Sequence, residues 1–262
     1  ARPTEVEGKF SRYASIKDYH NVLPNKLKSL VKFISQRKKG QFKVMVDTGS
    51  ILDKAAAQRA GIGWLGQNTC LFTPDLGSWV FLGEILTDIY IEPDKPLKSQ
   101  CDGCGKCVRA CPTGALMAPF QINPHRCLSY ITQMRGEIPE EFRGALGNRV
   151  FGCDTCQEAC PKNKDVQIPK HQEFIPDFPL KKDLLKLIQI TKKDFDEIFK
   201  NTAAGWRGRN TLRRNAVCAL GNTGKTEYVE YLKPLLNDPS EVVRKQAASS
   251  IEKLTIVAKS EG

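Results

Sequence analysis

With 262 residues, 40% of them hydrophobic and 26% charged, the chain has enough sequence for a folded core and for two or three domains. No apolar run reaches the roughly 20 residues with which a helix spans a bilayer, and a soluble cytoplasmic protein is the expectation. The formal net charge of +11 suits a polyanionic partner, nucleic acid first, although a solvated basic face explains charge alone equally well.

The basic residues are unevenly placed. Residues 1–46 carry eleven Lys/Arg against three Asp/Glu, and residues 201–262 carry ten against six, with Arg207, Arg209, Arg213 and Arg214 beside Trp206. In chain order, a polar start leads to an amphipathic helix near 21–38, with Leu23, Leu27, Leu30, Val31 and Ile34 at helical spacing. The β-rich run QFKVMVD follows, then a helix over 51–60. Ser50 and Asp53 have capping-box spacing at its start, and Gly61 stands just past its end. Strands are predicted in TCLFT and SWVFLGEILTDIYI, so residues 1–95 read as α/β or α+β. The chain opens without a credible first strand or a methionine, and an N-terminal part of this domain is expected to be missing.

Residues 96–165 form a cysteine module. Pro169, Pro176 and Pro179 then mark an extended linker, and helices resume at 181–188 and 192–200, where Thr191 and Asp194 again have capping-box spacing. LRRNAVCAL (212–220) and VRKQAASSI (243–251) align at a period of 31 residues. Small residues and apolar anchors on one face suit stacked HEAT-like helices. Two copies are too few for an independent solenoid, so a small helical appendage is expected.

Seven of the ten cysteines fall in two runs, Cys101-Cys104-Cys107-Cys111-Pro112 and Cys153-Cys156-Cys160-Pro161. The first is the ferredoxin run CxxCxxCxxxCP, which points to [4Fe-4S] ligation and electron transfer. A tight CxxCxxC loop wraps three irons and cannot bend back to the fourth, so a remote cysteine must complete each site. The second run has three members, and Cys127 between the runs is the natural eighth ligand. The spacing thus assigns Cys101, Cys104, Cys107 and Cys160 to one cluster, and Cys111, Cys127, Cys153 and Cys156 to the other. CxxC pairs also build zinc sites, but the triple and the CP endings favour iron–sulfur. A disulfide framework is disfavoured by the lack of a legible secretory signal and by chain size. Cys70 and Cys218 read as buried, inert thiols.

Clusters deliver electrons, so a reductase needs an acceptor site, expected in residues 1–95. The densest polar signals there are Tyr13, Asp18, Tyr19, His20 and Asp47. Asp47 lies between a predicted strand and a helix, where α/β folds gather ligands, and a carboxylic acid there can give a proton to a departing oxygen. An Asx-type turn in DTG is the competing explanation. An aspartic protease is discarded, because that chemistry needs two facing carboxylates and one DTG exists. GIGWLGQN lacks dinucleotide spacing; its glycines admit a planar cofactor or simply make a turn. His125 reads as a neighbour supporting Cys127, and His171 as solvated.

The segments SRYASIKDYH (11–20), VDTGSILDKAAAQRAGIGWLGQNT (46–69), GSWVFLGEILTD (77–88), CDGCGKCVRACPTGAL (101–116), RCLSYITQ (126–133), GNRVFGCDTCQEACP (147–161) and WRGRNTLRRNA (206–216) together resemble the epoxyqueuosine reductases, cobalamin-dependent iron–sulfur enzymes of queuosine-tRNA synthesis. The resemblance implies an α+β protein of four parts. Residues 1–95 would be an N-terminally incomplete α/β cobalamin and substrate domain, 96–165 a ferredoxin-like module with two [4Fe-4S] clusters, 166–204 a linker with helices, and 205–262 a HEAT-like region contacting tRNA. It implies reduction of the epoxide of epoxyqueuosine at the tRNA wobble position to the cyclopentene of queuosine. Electrons would pass singly from the clusters to cobalamin, and Asp47 would be the catalytic acid. The family's corrinoid pocket matches Asp47, Asn68, Leu82, Gly83 and Glu84, and no histidine sits in a DxHxxG-type motif to ligate cobalt. Tyr13 and His20 would lie near the substrate, and Trp206, Arg207, Arg209, Arg213 and Arg214 would face tRNA. A monomer served by an external electron donor is expected. A reductive dehalogenase-like enzyme and a non-enzymatic two-cluster carrier are the alternatives; the basic tail and the helical repeat argue against a small halogenated substrate.

Overall fold

The computed structural model describes residues 6–167 and 171–260; Pro169 of the expected linker and the first five residues lie outside them. Helices and short strands are mixed. In chain order the elements are β1 (Glu7–Phe10), α1 (Tyr19–Ser35), β2 (Phe42–Met45), α2 (Asp53–Arg59), β3 (Trp64–Leu65), β4 (Leu71–Phe72), β5 (Glu84–Thr87) and α3 (Lys106–Ala110). Then come β6 (Leu116–Ala118), β7 (Gln121–Ile122), α4 (Leu128–Ile131), α5 (Glu140–Leu146), β8 (Arg149–Phe151) and α6 (Thr155–Glu158). The last are β9 (Lys181–Asp183), α7 (Leu184–Ile188), α8 (Lys192–Ile198), α9 (Arg209–Gly221), α10 (Val229–Leu232) and α11 (Glu241–Ser260).

A three-stranded sheet, ordered β8-β1-β9, ties the beginning of the chain to its middle. β1 runs parallel to β8, with Lys9 opposite Arg149, and antiparallel to β9, with Gly8 opposite Lys182. Gly8 is required there: a Cβ would stand 2.4 Å from Leu184 Cδ2 and 2.5 Å from Val150 Cγ2. Beneath the sheet, Phe10 is fully buried, edge-on to Phe178 at 5.2 Å and stacked on Phe199 at 5.6 Å. One continuous apolar core runs from Phe10 and Ala14 through Leu128, Leu146 and Phe151 to Leu212, Val243 and Leu254. The first described residues therefore pack with the cysteine module and the C-terminal helices, across the expected boundary at 95/96.

The periodic C-terminal segments are α9 and α11, packed face to face. Ala216, Leu220, Ala247 and Leu254 are buried between them. At the crossing a Cβ on Gly221 would meet Ser250 Cβ at 2.7 Å, and Ser250 Oγ donates to the Val217 carbonyl at 3.0 Å. Small residues let the backbones approach, as the repeat spacing predicts.

Residues 42–87 form two antiparallel pairs, β2 with β5 against α1 and β3 with β4 against α2. Helix α1 has no fully buried residue; Leu23 and Leu27 lean on Gly83. The capping box of α8 forms, with Thr191 Oγ1 accepting the Asp194 N–H at 3.1 Å. At α2 it does not: the N-cap is Leu52 and no side chain caps the end. Asp53 is turned toward Glu84 instead, and that carboxyl is held above its usual range by burial and by the facing acid. Among the described residues no helix is long and apolar enough to cross a membrane.

Candidate active site and cluster-binding module

Asp18 begins the site by ending a loop. Its Oδ1 accepts the His20 backbone N–H at 3.0 Å, capping α1, and also stands 2.8 Å from His20 Nδ1. Capping by a short acid is the ordinary way to satisfy a helix start, and here it also fixes an imidazole. Tyr19 and His20, stacked at 4.2 Å, sit in the first turn, and Tyr19 stacks again on Phe81 at 4.4 Å.

Asp47 leaves β2 with φ of 54°, a left-handed conformation uncommon for a residue with a side chain. That turn brings its carboxyl back to α1. Tyr19 Oη donates to Asp47 Oδ2 at 2.9 Å, and His20 Nε2 lies 3.0 Å from the same oxygen. Among the described residues Oδ1 makes no hydrogen bond. The result is a chain Asp18–His20–Asp47 with tyrosine support. Burial lowers the His20 imidazolium, but the bonds to Asp18 and Asp47 outweigh it and hold the pKa above its ordinary value. Tyr19 is pushed well above the usual phenol range by burial and by Asp47, so it stays a donor. Beside this network lies an open cleft of about 560 Å³, whose lining includes His20, Lys28, Lys43, Thr48 and Ser50.

The cysteines come together as spacing predicts. Gly103 and Gly105, both at φ of 67°, curl the loop ahead of α3. Cys101, Cys104, Cys107 and the distant Cys160 share one cleft. Cys127 is within electrostatic reach of Cys153 and Cys156, and Cys156 of Cys111. Burial opposes charge on Cys111, but the backbone N–H groups of Leu116, Thr113 and Ala115 and the Thr113 hydroxyl outweigh it and lower the thiol. Among the described residues no three His, Cys, Asp or Glu side chains converge as ligands of a single ion. Cys101, Cys104, Cys107 and Cys160 line a cleft together, and four thiolates are the ligand set of a four-iron cube. Cys107 also senses Cys156, so the two ligand sets adjoin.

Other expected site residues fall differently. Arg213 and Arg214 do not face solvent, being 7% and 1% exposed. Arg213 donates to the Ile188 carbonyl at 2.8 Å and pairs with Asp238. Arg214 donates to the Met134 and Gly136 carbonyls at 2.8 and 2.6 Å and to Asn215 Oδ1; burial lowers its pKa to about 10. Their expected tRNA role is corrected: they are structural, because α9 turns them into the core where orphan carbonyls await. Trp206 is 58% exposed, with its Nε1 donating to Gln133 Oε1 at 3.0 Å and Arg207 laid over its ring at 3.5 Å. Arg209 is half-buried. Tyr13 accepts from Gln133 Nε2 at 2.8 Å, which joins it to Trp206 through one amide.

Asn68 lies in the wall of the Cys101 cleft, not among the residues lining the cleft beside Asp47. Leu82, Gly83 and Glu84 are half-buried. Cys218 is buried as expected, whereas Cys70 lies close enough to Cys156 for each thiol to shift the other's ionisation. Sequence reasoning missed that contact and the clamp of Gln67 on the thiol loop; the glycines flanking them were the available signal.

The fold and the thiol geometry define a double-cluster iron–sulfur protein, and residues 100–163 match the family model of a 4Fe-4S double cluster binding domain. Residues 1–48 match the model "Epoxyqueuosine reductase QueG, DUF1730". The chain belongs to the epoxyqueuosine reductase family. It is 44% identical over 254 residues to the epoxyqueuosine reductase of Bacillus subtilis (strain 168), covering 96% of this chain and 66% of that one. With the Escherichia coli (strain K12) enzyme it is 38% identical over 218 residues, 82% of this chain and 58% of that one. It also resembles a crystal structure of epoxyqueuosine reductase with an epoxyqueuosine-modified tRNA-Tyr stem loop. There the TM-score is 0.91 at 42% identity, covering 97% of this chain and 69% of that one. The chain thus spans about two thirds of the length of the B. subtilis relative.

Proposed function

We propose that the protein reduces epoxyqueuosine in tRNA to queuosine, using electrons passed through its two [4Fe-4S] clusters. The observation that carries this reading is the Asp18–His20–Asp47–Tyr19 network, set beside an open cleft in the same chain as a double-cluster module. The reaction consumes two electrons and two protons: the epoxide's two C–O bonds break, the carbon–carbon double bond forms, and the oxygen leaves as water.

The network is equipped to deliver both protons. Asp47, protonated at the free Oδ1, donates to the substrate oxygen. Once that donation leaves Asp47 ionised, Asp18 and Asp47 together hold His20 protonated, and His20 returns a proton from Nε2 to Asp47 Oδ2 for Asp47 to deliver as the second. Asp18 holds the imidazole in place, and Tyr19 holds the carboxyl while remaining protonated. General acid catalysis of this kind contributes ~10²–10⁴-fold.

A corrinoid fits beside Asp47. Glu84 Oε2 and Asp53 Oδ1 of the facing acid are buried, and neither has a hydrogen-bond partner outside this acid pair among the described residues. Buried carboxyl oxygens of that kind need donors, and a corrin rim carries amides able to supply them. Leu82, Gly83, Glu84 and Asp47 would hold it. When bound, its cobalt supplies a centre that collects electrons one at a time and reacts with pairs.

The tRNA-facing surface of this proposal is Trp206, Arg207 and Arg209. The arginines meet backbone phosphates, and Trp206 offers a ring for stacking. Anaerobic turnover of an epoxyqueuosine-containing anticodon stem-loop tests the reading: wild type forms queuosine, and Asp47→Asn loses at least ~10²-fold in rate while still binding the stem-loop. Equal rates in the two proteins, or no turnover by cluster-replete wild type, would contradict it.

A further inference from the structure

The turn joining β3 to β4 leaves hydrogen-bond donors pointing where no protein acceptor stands. It is closed by the Gly66 N–H donating to the Cys70 carbonyl at 2.9 Å and the Thr69 N–H donating to the Gly66 carbonyl at 2.9 Å. Gln67 clamps it on the thiol loop, its Oε1 accepting the Gly105 N–H at 3.1 Å.

Asn68, next in the turn, is 3% exposed. Its Oδ1 accepts the Cys70 N–H at 3.2 Å, a bond only the carbonyl end of the amide can make, so the orientation of the amide is settled. Nδ2 is thereby set on the opposite branch. It is buried and has no hydrogen-bond partner among the described residues, in a side chain lining the cleft of Cys101, Cys104, Cys107 and Cys160. Trp64 lines the same cleft, is 3% exposed, and has its Nε1 equally buried and unpaired among the described residues. Buried donors are nearly always satisfied, and leaving two unpaired is costly. The acceptor this cleft is built to receive is sulfur carrying the negative charge of a thiolate-bound cluster.

We infer that Asn68 Nδ2 and Trp64 Nε1 donate hydrogen bonds to the sulfur of the cluster held by Cys101, Cys104, Cys107 and Cys160, and thereby raise its reduction potential. The inference rests on those four thiols holding a cluster. An added electron increases the negative charge on sulfur, so N–H donors aimed at it favour the reduced state; hydrogen bonds to the sulfurs are among the determinants of such potentials. Asn68 and Trp64 act on electron delivery through the cluster.

The test is an EPR-monitored redox titration of the anaerobically purified holoprotein, after iron and sulfide have been counted. Asn68→Leu removes one donor. Trp64→Phe removes the other while keeping an aromatic ring against Phe72, whose ring lies 6.3 Å from the indole. Each variant is expected to disfavour reduction of one cluster about tenfold, a shift of about 59 mV to more negative potential for a one-electron couple, with the other cluster unmoved. Pulsed EPR in D₂O is expected to lose an exchangeable-deuteron coupling of the reduced cluster. Unchanged potentials and couplings in variants that keep full iron content would overturn the inference. If Asn68→Leu sheds iron, Trp64→Phe decides alone. A wild-type protein without iron would overturn the cluster reading itself, a separate and earlier failure.

Discussion

His20 shows how one residue's neighbours set its chemistry. It is half-exposed, and burial alone would make it a weaker base, yet the carboxylates on its two ring nitrogens reverse that sign. Two consequences follow from a folded pKa above the unfolded one. The stabilisation from the charged contact is fully present below the unfolded value near 6.5 and is lost as pH rises through the folded value. Thermal melts of wild type and His20→Gln should therefore differ most at acidic pH and converge at alkaline pH. The wild-type turnover rate should also fall as pH rises through the His20 titration, while His20→Gln is slower and flat over that range; identical pH–rate profiles would remove His20 from the proton path. In the sequence Asp47 carried two readings, an acid where α/β folds gather ligands and an Asx-type turn in DTG, and the family resemblance favoured the first. The bonds of Tyr19 and His20 to its Oδ2 were not legible there, since they depend on the left-handed turn at Asp47 that folds it back on α1.

At the scale of the element, α9 separates composition from exposure. Arg207, Arg209, Arg213 and Arg214 read alike as a basic run, but α9 is buried on every side from Leu212 to Gly221, which sets the last two against carbonyl and carboxylate acceptors contributed by residues 131–136, 188 and 238. Burial of an arginine depends on partners distant in sequence, which is why charge density misplaced it. Arg214→Ala should cost ~3 kcal/mol or more, because it strips the Met134 and Gly136 carbonyls of their donor and leaves a cavity, and a thermal melt should show it. Arg207→Ala should leave the melt unchanged while weakening stem-loop binding and reducing its salt dependence by about one counterion. The reverse pattern would mean that the nucleic-acid face lies elsewhere. The double-cluster module that residues 100–163 match was, by contrast, readable from the cysteine runs, since the reach of a tight loop around an iron cube is a local constraint. The capping box of α8 was equally local and formed, while that of α2 yielded to the contact between Asp53 and Glu84.

For the molecule as a whole, the sheet β8-β1-β9 carries the architecture. Its strands are three or four residues long and come from distant parts of the chain, so no alternation pattern announced them, and a boundary drawn at residue 95 cut through a shared core. Phe10→Ala should cost ~3–5 kcal/mol and loosen the C-terminal helices with the sheet. Hydrogen exchange should find the Phe10 and Ser11 amides, bonded to Leu180 and Phe151 at 2.8 and 2.9 Å, as protected as those of α9. Early exchange of these amides would show that the N-terminal strand is not part of that core.

In the proposed reaction the electrons held by the adjoining thiol sets and the protons of the acid network are spent on one substrate. The measurement closest to that claim is an anaerobic single turnover, in which protein with both clusters chemically reduced is mixed with epoxyqueuosine stem-loop while cluster oxidation and queuosine are followed together. The account predicts that the clusters are reoxidised by two electrons for each queuosine formed, and that Asp47→Asn binds the stem-loop yet leaves its clusters reduced. Stem-loop bound to wild type with the clusters still reduced and no queuosine formed would contradict it.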